Sequence, residues 1–135
     1  MAVEVAVIGT GWCGGIRAEM LSRSALVGKL HICEIRPDRL AEVKALYKPA
    51  TATLNYQDII NNDNISVVFI STTPESNHYP IARDCLRAGK NVMLEKPIAL
   101  ELWEADELIM LAKRNNLKFT IGYSQRFNTK IAYAK

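Results

Sequence analysis

The sequence predicts an α/β protein built on a mostly parallel, doubly wound sheet of about six strands, and three observations carry that prediction. Short apolar runs alternate along the chain with longer segments of helical spacing. Some runs are nearly continuous, such as Val67-Val68-Phe69-Ile70, as strands covered by helices on both faces require. A glycine-rich string, Gly9-Thr10-Gly11-Trp12-Cys13-Gly14, stands between the first run and the first helical segment. For such a chain the expected strand order is 3-2-1-4-5-6.

Taken in order, Val3 to Ile8 reads as the first strand and Cys13 to Ser22 as the first helix. Leu30 to Ile35 follows as a strand, and Pro37 then opens a helix to Tyr47, because a first-turn proline loses no hydrogen bond. Ala50 to Thr53 is the weakest strand, followed by a short helix from Tyr56 to Asn61. Val67 to Ser71 is the fourth strand, Asn77 to Ala88 the next helix, and Gly89 its terminator in the left-handed conformation. Asn91 to Leu94 and Lys118 to Ile121 are the last strands, with a helix from Glu101 to Asn115 between them. In that helix Leu102, Ala105, Ile109 and Ala112 form the expected buried stripe. Glu104, Glu107, Lys113 and Arg114 take the wet face, acids early and bases late as the helix dipole prefers. Phe127, Ile131 and Ala134 begin a further helical pattern that Lys135 cuts short.

A chain of 135 residues, 49% hydrophobic and 23% charged, suits one globular domain. Its net charge of +3 is spread along the sequence, which argues against a nucleic-acid partner. No apolar run approaches the roughly 18 residues of a membrane span, and the N-terminus carries no signal-peptide pattern, so a cytoplasmic protein is expected. Three cysteines, Cys13, Cys33 and Cys85, form no CxxC or metal-type cluster with His31 and His78. Reduced thiols and no metal site are expected.

The glycine string matches GxGxxG, and its context gives it weight: it leaves a strand, opens a helix, and Glu34 follows twenty residues beyond Gly14. Gly9 permits the tight turn, Gly11 lacks the Cβ that would hold a pyrophosphate off the backbone, and Gly14 lets the helix pack on the strand. Thr10, Trp12 and Cys13 complete the loop, whose free N–H groups face phosphates. Trp12 and Cys13 occupy variable positions whose side chains pack or face solvent. Glu34 can accept from ribose hydroxyls and repel a 2′-phosphate by on the order of 1 to 4 kcal/mol, which favours NAD over NADP. Arg36 and Arg39, with Ile35 beside them, oppose that preference, because a guanidinium can stack on adenine or pair with a 2′-phosphate. A methyltransferase also carries a glycine loop and a later acid, and the second half of the chain argues against it.

Ser71-Thr72-Thr73-Pro74-Glu75-Ser76-Asn77-His78 and Glu95-Lys96-Pro97 fall at the carboxyl ends of strands, where open α/β sheets hold ligands. Thr72, Thr73, Pro74, His78, Glu95, Lys96 and Pro97 therefore join the candidate cofactor-side residues. Lys96 is the catalytic candidate, since a partly desolvated ammonium stabilises charge developing on a substrate oxygen. His78 is either a proton-transfer group or a ring bonded to backbone at a helix start. Cys33 and Cys85 read as core fillers.

GTGWCG, TTPESNH, AGKNVMLEKP and GYSQRFN, in this order and spacing, resemble the N-terminal half of the Gfo/Idh/MocA oxidoreductases, which include glucose-fructose oxidoreductase and inositol dehydrogenase. The resemblance spans essentially the whole chain, with EKP its most specific element. It implies that Lys96 contacts both a substrate hydroxyl and the nicotinamide, and that Thr73 to His78 line the nicotinamide side. It further implies hydride transfer to or from a secondary alcohol of a sugar, polyol or similar small substrate, and a homo-oligomer. Tyr123 and Arg126 become substrate-side candidates, although Thr129 stands where the family usually has proline. Residues 1–122 then form the dinucleotide-binding domain, and 123–135 begin a connection to a second domain that supplies most of the substrate pocket and usually an Asp-His pair. On that expectation the 135 residues bind cofactor but hardly turn over substrate. A non-catalytic dinucleotide-binding module and an NAD-dependent glycoside-cleaving relative remain as alternatives.

Overall fold

The computed structural model describes residues 2–133. Six parallel strands form one sheet, β1 (Val3–Ile8), β2 (Val27–Cys33), β3 (Thr51–Thr53), β4 (Ile65–Ile70), β5 (Asn91–Leu94) and β6 (Phe119–Ile121), in the spatial order β3-β2-β1-β4-β5-β6. The connecting helices are α1 (Trp12–Ser22), α2 (Pro37–Tyr47), α3 (Tyr56–Ile60), α4 (His78–Arg87) and α5 (Leu102–Arg114), and a short α6 (Thr129–Tyr133) follows β6. The doubly wound class and strand order agree with expectation.

Continuous apolar strands follow from burial on both faces. Val5 and Val7 of β1 join Leu30, Ile32, Ala18 and Val43 in one cluster, while Ala6 and Ile8 join a larger one with Val68, Ile70, Leu86, Leu94 and Leu108. Because successive strand side chains point to opposite faces, a strand covered twice needs apolar residues throughout.

Register aligns the strand ends. Thr53, Cys33, Ile8, Ile70, Leu94 and Ile121 pair in one row across all six strands. Just past that row stand Glu34, Gly9, Ser71 and Glu95, all but Ser71 candidate site residues, and ladder bonds extend to them. Gly9 N–H donates to the Cys33 carbonyl (2.9 Å), Ser71 N–H to Ile8 (2.9 Å), Glu95 N–H to Ile70 (2.9 Å), Gly122 N–H to Leu94 (2.8 Å) and Glu34 N–H to Thr53 (3.1 Å).

The structure moves several boundaries. β2 starts at Val27 and β4 at Ile65, since pairing with β1 resumes beyond register shifts that pass over Gly28 and Ser66. β2 stops at Cys33, which leaves Ile35 outside the strand and exposed. Helix α5 is rotated from the predicted stripe: Leu108 and Ala112 are buried, Leu111 packs on the core, and Leu102 is 86% exposed, with Ile109 also exposed. That face is chosen by contact with α4 and the sheet, which takes Leu108 in preference to Ile109. Gly89 has φ +76° and terminates α4 as expected. Phe127 and Ile131 are exposed at α6, and Ala134 lies outside the described residues. Among the described residues no helix is long and apolar enough to cross a membrane.

Candidate cofactor-binding cleft

The glycine loop turns where strand β1 ends. Gly9 has φ +83°, and a Cβ there would lie 2.6 Å from the Ser71 carbonyl oxygen. A Cβ on Gly14 would fall on the Gly9 carbonyl, so helix and strand meet at a distance only glycine allows. Around Gly11 a Cβ would meet no protein atom within 4 Å. The space beside it belongs to the cleft, which is what a backbone cradle for a ligand requires.

Thr10, the one non-glycine residue between Gly9 and Gly11, is fully buried. Its N–H and hydroxyl both donate to Glu34 Oε2, at 2.9 and 2.8 Å, and its carbonyl accepts from Arg39 Nε at 2.8 Å. Glu34 Oε1 accepts from the Arg36 N–H at 3.1 Å and Arg36 Nε at 3.4 Å. Burial pushes the Glu34 carboxyl up, but the bonds from Thr10 and Arg36 outweigh it and hold the group below the ordinary glutamate value.

Gly9, Gly11, Glu34, Ile35, Arg36, Thr72 and Thr73 line one cleft of about 580 Å³, joined by Ser71, Tyr56, Asn77 and Ile81. The Ser71 and Thr72 hydroxyls are buried and have no hydrogen-bond partner among the described residues. Buried polar groups are nearly always satisfied, so two orphaned hydroxyls beside an open glycine backbone fit a polar ligand such as a dinucleotide. Thr10, Gly11, Trp12, Arg36 and Arg39 also border a shallower hollow of about 440 Å³ on the outer side of the loop. Trp12 and Cys13 are exposed, as their variable positions suggested.

A third cavity, about 480 Å³, is lined by Cys13, Ile16, Arg17, Glu95, Lys96 and Tyr123 with their neighbours. Lys96 is exposed and opens into it, beside the first turn of α1. Arg17 of α1 pairs with Glu95, and burial lowers the Arg17 guanidinium from its ordinary value. His78 does not reach these cavities. It is 1% exposed, with Nδ1 2.7 Å from the Pro97 carbonyl oxygen and Nε2 3.1 Å from that of Thr72. The ring thus lies between the two strand-end loops, with its N–H able to donate to one of the two carbonyls, and it sits away from the cleft. Pro74 and Pro97 belong to those loops and line none of these three cavities, and Arg126 lies with Phe127, Ile98 and Ile109 in an apolar groove along β6. Among the described residues no cluster of three His, Cys, Asp or Glu side chains is arranged for a metal. Cys33 and Cys85 are buried, with both thiols pushed up to about 12 by burial.

Residues 3–123 match the model of the GFO_IDH_MocA family, described as an oxidoreductase family with an NAD-binding Rossmann fold. The chain belongs to the Gfo/Idh/MocA family. As the family's NAD-binding Rossmann domain, it superposes with a TM-score of 0.90 on scyllo-inositol dehydrogenase from Lactobacillus casei, solved with NAD(H) and scyllo-inositol. That match is 25% identical and covers 99% of this chain and 40% of the other. Myo-inositol 2-dehydrogenase from Lactobacillus plantarum gives a TM-score of 0.90 at 29% identity, again over 99% of this chain and 40% of that one. Myo-inositol 2-dehydrogenase from Thermotoga maritima is 29% identical over 126 residues, 93% of this chain and 37% of that protein. The chain therefore spans about two fifths of the length of these Gfo/Idh/MocA relatives.

Three groups of residues escaped the sequence reading. Ser71 was read only as the end of a strand. Gly15 is missed because GxGxxG does not include it, yet a Cβ there would sit 2.8 Å from Arg39 Nη2. Arg17 and Gly122 meet Glu95 only through the fold, and the Gly14-Gly15 doublet was the one available hint among them.

Proposed function

We propose that this chain is the cofactor half of an NAD-dependent dehydrogenase that oxidises a secondary alcohol of a polyol, sugar or related small substrate. The observation that carries this reading is the shared cavity of Lys96 and Cys13, which sets a free ammonium beside the helix that the glycine loop opens. The loop backbone and the Ser71 and Thr72 hydroxyls would hold the pyrophosphate and adjoining groups, and Glu34 would face the adenosine ribose. What a dinucleotide supplies there when bound is the hydride-exchanging C4 of its nicotinamide. Lys96 Nζ hydrogen-bonds the substrate oxygen and stabilises the charge that develops on it. Glu34 supports NAD over NADP, because its carboxylate repels a 2′-phosphate. The inositol substrates of the relatives support a polyol.

Positioning a substrate carbon against the ring is worth roughly 7 to 11 kcal/mol of barrier, and the relatives devote a further three fifths of their length beyond the matched portion. The 135 residues alone are therefore expected to bind NADH and to show no measurable turnover. The test is a calorimetric titration with NADH and NADPH, followed by NAD reduction assays with inositols, sugars and hydroxy acids. The assays use this chain and a hybrid in which residues 3–123 replace the matching part of the Lactobacillus plantarum enzyme. Tighter binding of NADPH, or robust turnover by the 135 residues alone, overturns the corresponding part of the reading.

A further inference from the structure

We propose that Thr10 is a positioning residue for the phosphate loop, held by Glu34 on one side and Arg39 on the other. The proposal rests on the reading of this loop as the dinucleotide cradle. It assigns Glu34 a second role that is independent of any ribose contact.

The argument starts from accounting at Thr10. A residue between two glycines has little of its own to fix its backbone, since both neighbours are conformationally permissive. Here every polar group of that residue is used. The N–H and hydroxyl converge on a single carboxylate oxygen, Glu34 Oε2, and the carbonyl takes the Arg39 Nε–H. These bonds are buried at the threonine, which is 0% exposed, and at Glu34, which is 5% exposed, so water does not compete for them readily. Three parts of the chain are joined: the loop, the residue just past β2, and the first turn of α2. Arg39 is itself held by Glu42 at 2.7 Å, and its guanidinium lies where a Cβ on Gly15 would otherwise stand.

The accounting at Glu34 points the same way. A carboxylate accepts at about four lone-pair positions. Thr10 fills two on Oε2, and Arg36 fills two on Oε1. Of these donors only the Arg36 side chain is both exposed and weakly placed, at 3.4 Å. A ribose hydroxyl gains access to Glu34 by displacing Arg36, while the Thr10 staple stays closed. Loop geometry and ribose recognition thus use different oxygens of one side chain, and they are separable by mutation.

The experiment uses the 135-residue chain. Amide hydrogen exchange on the unliganded protein should find Thr10 N–H protected although it lies in a loop, and Thr10→Val and Arg39→Met should accelerate exchange at Thr10 and Gly11. In NADH titrations Thr10→Val should bind roughly fivefold more weakly, as expected for one lost hydrogen bond, and NADPH should weaken by the same factor. Thr10→Ser, which restores the hydroxyl, should return affinity to within about twofold of the parent. An unprotected Thr10 amide in the parent chain, or equal NADH affinity in Thr10→Val and the parent, overturns the proposal and leaves the cofactor reading intact. A parent chain that binds neither dinucleotide overturns the cradle itself, and with it the proposed purpose of the staple, whatever the exchange rates show. A change in the NADH to NADPH ratio in Thr10→Val also overturns it, because Thr10 would then be acting on the ribose.

Discussion

Arg17 of α1 forms an ion pair with Glu95, the residue that precedes Lys96, and the pair lies flat against Gly122, where a Cβ would come within 2.9 Å of Arg17 Nη2 and 3.1 Å of Glu95 Oε1. The carboxylate next to the lysine is thereby committed to a different cation. Among the described residues the Lys96 backbone N–H reaches that carboxylate, at 3.3 Å, while its ammonium makes no ion pair with it.

Lys96→Met should separate binding from chemistry. Lys96 stands apart from the loop that would hold the pyrophosphate and could touch only the nicotinamide end, so NADH affinity of the variant should fall by no more than about fivefold. In the hybrid enzyme, turnover should fall by roughly a hundredfold or more through loss of the charge-stabilising donor. Titration calorimetry and steady-state NAD reduction check the two halves separately.

The two glycines of the loop should fail in different ways. Gly11→Ala places a methyl in open space, so the fold should keep its melting temperature while NADH binding weakens about tenfold, or about 1.4 kcal/mol. Gly14→Ala drives a methyl into the Gly9 carbonyl and should lower stability by about 1 to 3 kcal/mol, seen as a fall in the thermal midpoint.

Glu34 links the loop to pH. Its pKa is lower in the folded chain than the ordinary 4.5, so its stabilising contribution is complete above the unfolded value and is lost as pH falls through the folded one. Urea denaturation of the parent and Glu34→Gln should show a constant stability difference at neutral pH that shrinks below pH 4.5. Glu34→Ser should also reduce any preference for NADH over NADPH, by roughly tenfold, with Arg36 left available to a 2′-phosphate.

The phase of α5 is testable by contrast. Leu108→Ala empties a fully buried site and should cost about 2 to 5 kcal/mol, whereas Leu102→Ala, at an 86% exposed position, should stay within about 0.5 kcal/mol. Chemical denaturation of the two variants compares them directly.

That helix also shows where sequence reading loses resolution. Leu102, Trp103, Ala105, Leu108, Ile109, Met110, Leu111 and Ala112 offer more apolar positions than one stripe can use, so periodicity alone allows two phases and packing on α4 selects one. The strands were legible because apolar runs end where the sheet ends, and Gly9, Gly11 and Gly14 were legible because each answers a local backbone demand. Glu34 is legible as an acid at the end of the second apolar run, but its bonds to Thr10 join residues 24 positions apart. The same holds for His78, whose ring lies between two carbonyls from separate loops, and for Arg17 opposite Glu95. Such meetings depend on strand order and register, which no local pattern encodes.

The shared row of strand ends makes this protein unequally tolerant of length changes. Deleting one residue inside β5 would draw Lys96 into the place of Glu95, about 3.3 Å back and on the opposite face of the sheet, without touching any residue of the cleft itself. A residue added at Asp63 to Asn64 or at Ala88 to Gly89, exposed turns entering β4 and β5 at the opposite end of the strands, would bulge outward and leave every strand end where it is. Insertions and deletions in a library of variants should therefore divide by which end of the sheet they fall on, even where the affected positions are equally distant from the cofactor.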